Sequence, residues 1–144
     1  MLVVKTLLNI QKLAPILVGK GIKHVSSTPL TWKGDVGTRD CLVHFGDGTA
    51  VLLNSADLES ELEYYADGVD DNGLVIDTEL SQTVSGQMVQ AVISSQNVFS
   101  FGLLLTDGPV ICGDFLTGQD GVYQAACVML MSEFEDDRPQ LFGK

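Results

Sequence analysis

The residues best placed to do chemistry lie in one acidic stretch. Asp67, Asp70, Asn72 and Glu79 surround Gly73, and their spacing approaches that of a calcium-binding loop. With Gly73 at the sixth position of an EF-hand loop, Asp70 stands third, Asn72 fifth, Val75 eighth and Glu79 twelfth. Calcium is a hard cation and takes carboxylate, amide and carbonyl oxygens in such a loop. The first position, however, is Gly68, and Asp67 lies one residue out of register, so the leading ligand is missing. The expectation is a solvated acidic turn, with a calcium site at Asp67, Asp70, Asn72 and Glu79 as the alternative. No other metal and no organic cofactor is expected.

Nucleophilic chemistry lacks its parts. Cys41, Cys112 and Cys127 make an odd count without a C-x-x-C, which argues against a disulfide framework or zinc and for buried thiols in a reducing compartment. Cys41 and His44 are three apart, and on a strand that spacing points them to opposite faces. There is no G-x-S-x-G and no glycine-rich phosphate loop ahead of a helix. The carboxylates are many, but no pair is marked by its neighbours as an acid–base couple. The chain is expected not to be an enzyme.

The charge distribution says more. From Asp40 to Asp137 there is no lysine or arginine, and eighteen carboxylates fall in that stretch. Residues 1–39 hold six basic and one acidic residue, net +5; residues 40–144 hold two basic and eighteen acidic, net −16. A polyanionic body repels nucleic acid and anionic membranes, so neither is an expected partner. It suits a basic protein surface, or the basic segment of another copy of itself. Lys5, Asn9, Gln11 and Lys12 interrupt the apolar N-terminal run, which reads neither as a secretory signal nor as a membrane span. The expected location is the cytoplasm, including that of a host cell, or a virus particle.

These residues need elements to position them. Val3, Leu7, Ile10, Ala14 and Leu17 repeat at helical spacing, which predicts an amphipathic helix over 3–14 stopped at Pro15. Residues 22–27 alternate weakly as a strand, and 28–39 read as loop around Trp32. CLVHF and TAVLL flank Gly46-Asp47-Gly48, a hairpin signal, and 98–106 with 109–116 flank Asp107-Gly108, another. Leu58 and Leu62 predict a short helix over 56–66 with its acids outside. Residues 74–80 read as strand, 82–94 as strand with helix as the alternative, and 122–132 as a buried element of either kind. The sum is one α+β domain, 1–144, with about seven strands in a mainly antiparallel sheet or sandwich. It divides into a basic N-terminal segment (1–39), an acidic β-rich body (40–137) and a tail (138–144). No internal repeat or linker is evident.

The acids at 133–137 followed by Pro139, Leu141 and Phe142 resemble the acidic-then-apolar tips of bacterial single-stranded-DNA-binding proteins. The resemblance is confined to 133–144, departs at Gly143 and Lys144, and meets a body without the basic groove that strand binding needs. It is not carried over as a function. Two readings remain. In the first the chain is a self-associating structural or accessory subunit of the phage-particle kind, a homo-oligomer in which Lys5, Lys12, Lys23 and the anchor Trp32 dock on the acidic body of a neighbour. In the second it is an acidic binder or inhibitor, of the nucleic-acid-mimic or immunity type, that presents Glu59, Glu63, Asp70 and Asp71 to a basic partner.

Overall fold

The computed structural model describes residues 5–29, 31–34, 36–53, 61–70, 72–95, 101–118, 121–130 and 139–142. Along them run β1 (Lys5–Asn9), α1 (Ile10–Leu17), β2 (Ile22–Ser27), β3 (Thr31–Lys33), β4 (Val36–Thr38), β5 (Cys41–Phe45), β6 (Ala50–Leu53), β7 (Glu61–Tyr65) and β8 (Val75–Ile76). There follow α2 (Thr78–Val84), β9 (Val89–Ser95), β10 (Phe101–Leu105), β11 (Pro109–Gly118), β12 (Gly121–Leu130) and β13 (Pro139–Phe142). The described strands make two sheets, ordered β1-β7-β6-β5-β2-β8 and β13-β9-β10-β11-β12-β4-β3. Every pairing is antiparallel except that of β4 with β12. The fold is α+β with antiparallel sheets, as the alternating runs and Asp-Gly turns imply.

Read from the β8 and β13 edges, the two sheets begin with the same five strands. β8-β2-β5-β6-β7 in one correspond to β13-β9-β10-β11-β12 in the other. The registers agree pair by pair: Val25 faces Val43 and Val43 faces Val51, as Val92 faces Leu103 and Leu103 faces Ile111. Each unit starts with its helix, turns at a glycine of positive φ (Gly19, 92°; Gly86, 84°) and carries a bulge at the start of the next strand pair. The hairpins close on Gly48 and Gly108, again at positive φ, which only glycine adopts without strain.

The units meet about an approximate two-fold axis. Gly19 N–H donates to Val89 O and Gly86 N–H to Ile22 O, at 2.9 and 3.0 Å; Ile22 N–H donates to Gln87 O and Val89 N–H to Lys20 O, at 2.9 and 3.0 Å. Between these reciprocal bonds Gly21 bridges Met88. The helices are exchanged across the axis, α1 lying on β9 and α2 on β2. One apolar core results, drawing Leu13 and Leu17 from α1, Val84 from α2, Val43, Phe45 and Val51 from one sheet, and Val92, Leu103 and Ile111 from the other. Burying each large side chain contributes about 1.5–3 kcal/mol.

Several expectations need correcting. The predicted helix over 56–66 is the strand β7 across 61–65, with 54–60 outside the described residues. Leu62 and Tyr64 are buried while Glu63 and Tyr65 are half-buried, a period of two, and β1 and β6 flank the strand. The leucine spacing fitted a helical period, but pairing on both sides decides the conformation. The N-terminal helix is displaced: residues 5–9 pair with β7, and the helix runs through Pro15. Burial of Leu13, Ala14 and Leu17 outweighs the bond that proline forgoes. Residues 74–84 are a two-residue strand and then a helix, because Asp77 caps it, accepting Leu80 N–H at 2.9 Å. The loop at 28–39 contains β3 and β4, and 121–130 is strand rather than helix.

Candidate functional site

Three groups of polar side chains deserve comparison. The first surrounds Lys20, just past α1. Its ammonium pairs with Asp47 and donates to Thr49 Oγ1 at 2.9 Å and Tyr64 OH at 3.2 Å, over the rings of Phe45 and Tyr64. Burial alone would push the Lys20 pKa down, but its bonds to Asp47 and Tyr64 outweigh that and raise it. Burial likewise pushes Asp47 up, yet the bonds from Lys20 and Thr49 prevail and hold it at about 2. In the second unit Gln87 stands where Lys20 does, and its Oε1 accepts Asp107 N–H at 3.2 Å. In both units one side chain ties the two-fold seam to a hairpin turn. This group is structural.

The second group lies on the outer face of the first sheet. Ser26, with no exposed surface, is hydrogen-bonded to His44 Nε2 at 2.7 Å, and His44 is only 7% exposed. The rings of His24 and His44 stack at 4.2 Å, 10° from parallel. They border a cleft of about 190 Å³ shared with Lys23, Thr49, Asp67 and Gly68. Gly68 closes it: its φ is 81°, and a Cβ there would stand 2.5 Å from Gly48 O. The sister unit has buried Ala91, Ile93 and Leu104 at the places of His24, Ser26 and His44. A serine paired with an imidazole is the arrangement of an activated nucleophile. Here Ser26 has no exposed surface, and the bond satisfies two buried polar groups.

The third group is the acidic edge from residue 66 to α2. Asp67, Asp70 and Glu79 are exposed, and between them Val75 and Ile76 expose 56% and 52% of their surface. Beside them Asp77, Glu79, Leu80, Thr83 and Val128 line a cleft of about 440 Å³ that brings two carboxylates and two apolar side chains together. The calcium candidates do not converge. Asp70 Oδ1 accepts Asn72 N–H at 3.0 Å, while Glu79 lies on α2 beyond β8. The loop joins two strands rather than two helices, and among the described residues no group of three or more His, Cys, Asp or Glu is arranged to hold a metal.

The other predicted interaction residues are scattered. Lys12 is exposed on α1, Lys23 on β2 and Trp32, 40% exposed, on β3; Lys5 lies in β1. Leu13, Ala14 and Leu17 of α1 are buried in their own chain, while Ile16 is exposed. Glu63 accepts the Tyr65 hydroxyl at 2.7 Å, and burial, then that bond, push the tyrosine pKa up. Glu59, Asp71 and the acids of 133–137 lie outside the described residues. The strand character of Val75-Ile76 is legible in the sequence, but their exposure is not, since β-branched residues more often signal a buried strand. No helix among the described residues is long and apolar enough to cross a membrane. Comparison with protein-family models, with curated proteins and with solved structures finds nothing that matches this chain.

Proposed function

We propose that this chain is a non-enzymatic protein-binding protein whose acidic body occupies a basic surface on a partner protein. The observation that carries the reading is the edge at 67–79, where exposed carboxylates flank exposed Val75 and Ile76. An apolar centre with a charged border is the make-up of a binding patch. Lys20 is committed to Asp47 within the chain, and no lysine or arginine lies between Asp40 and Asp137 to oppose a cationic partner.

Self-association of a structural or accessory subunit is the second reading. Exposed Lys12 and Lys23, with Trp32 on an edge strand, favour it. Burial of Leu13, Ala14 and Leu17 takes from it part of the apolar contact expected of an N-terminal arm. Light scattering separates the two. The binder reading predicts a monomer, unchanged by salt or by reversal of Lys12 and Lys23 to glutamate. A defined oligomer that those changes dissolve would support self-association instead.

A further inference from the structure

We propose that the outer edge of β8 is a docking site for an extended segment of a basic partner protein, added as a further strand of the first sheet. This rests on the acidic-binder reading and adds where and how the partner sits. In an antiparallel ladder successive residues turn their backbone groups alternately toward and away from the neighbouring strand. Asp77 N–H donates to Val25 O at 3.0 Å, so Asp77 and Val75 face β2, and the N–H and C=O of Ile76 face outward. β8 is last in its sheet, and nothing among the described residues pairs with that side. An open edge with exposed β-branched side chains is a template for another chain.

Charge selects the occupant. Asp70, Asp77 and Glu79 flank the two apolar residues, without a cation on the loop, on β8 or on α2. A second copy docking here edge to edge would set these carboxylates against their own kind, so the patch favours a basic chain over itself. The adjoining cleft fits the same partner. A lysine or arginine stem lies well over Leu80 and Val128 while its charged head reaches Asp77 and Glu79. An extended segment alternating basic and apolar residues meets all three features, because alternate side chains of an added strand point to opposite faces.

The test titrates the intact protein with a short peptide alternating lysine and valine, beside one alternating glutamate and valine and one of lysine alone. The lysine–valine peptide is expected to bind best and the glutamate peptide not at all. Ile76→Pro removes the outward N–H and no ladder bond, and should weaken binding about tenfold, whereas Ile76→Val should stay within about twofold. Hydrogen exchange on the unmutated protein gives a readout free of any folding defect: the Ile76 amide should slow about tenfold at saturation. An Ile76 amide that stays unprotected by bound peptide, or lysine alone binding as well as lysine–valine, overturns strand addition and leaves the acidic reading standing. If no cationic peptide binds, the acidic reading falls and this inference with it. A wild-type dimer that Ile76→Pro converts to monomer assigns the edge to a second copy and overturns the proposal.

Discussion

Replacing Lys20 tests the seam on which the two units turn. Its ammonium holds Asp47, Thr49 and Tyr64 at once, joining the end of α1 to the β5–β6 hairpin and to β7. The ion pair is half open to water, with Asp47 49% exposed, so it contributes about 0.5–1 kcal/mol after screening. The two hydroxyl bonds add about 1 kcal/mol each, less what water recovers in the variant. Lys20→Ala should therefore cost about 2 kcal/mol, seen in urea as a lower midpoint at unchanged slope and as a fall of roughly 6 °C in melting temperature. Lys20→Gln should cost about half as much, since Gln87 serves the matching turn without a charge. A loss below about 0.5 kcal/mol for Lys20→Ala would refute this account, because substitutions at uninvolved surface sites do no more.

Three more outcomes follow. Asp47 sits below its ordinary pKa, so its contribution is present above about pH 4 and is lost as pH falls toward about 2; Asp47→Asn should flatten that part of the stability–pH curve by about 1 kcal/mol after allowance for exposure. Gly68→Ala should destabilise by about 1–3 kcal/mol in chemical unfolding, because the site combines positive φ with a backbone oxygen where the methyl would go. Ser26→Ala alone should cost about 1–3 kcal/mol by leaving His44 short of its buried bond, while Ser26→Ile with His44→Leu, copying the sister unit, should cost less than the single change.

The hairpins were legible because turn chemistry is local. Asp47-Gly48 and Asp107-Gly108 announce their positive φ, and the apolar runs beside them pair by default. β7 was not legible, since Leu58 and Leu62 fit a helix as well as Leu62 and Tyr64 fit a strand, and only β1 and β6 break the tie. The duplication was hidden for a related reason. Matching positions keep burial and register but not identity: Ile22 answers Val89, Lys23 answers Gln90, Ser26 answers Ile93. Glycine stands at both helix ends because the left-handed turn there favours it. The acidity of 67–79 was plain in the sequence. That its apolar members stand on an open sheet edge follows only from β8 being last in its sheet.

Local and global charge can be separated directly, since a binding face at the 67–79 edge and a merely acidic surface respond differently to where charge is removed. Two variants remove one charge each from different places: Asp70→Asn at the edge, and Asp107→Asn on the β10–β11 turn, both exposed carboxylates. Titration of each with the lysine–valine peptide across a salt series decides the matter. The edge variant is expected to bind about fivefold more weakly and with a shallower salt dependence, while the turn variant stays within about twofold of the parent. Equal weakening in both variants would contradict a binding face at the edge and reduce the acidity of this chain to a property of its whole surface.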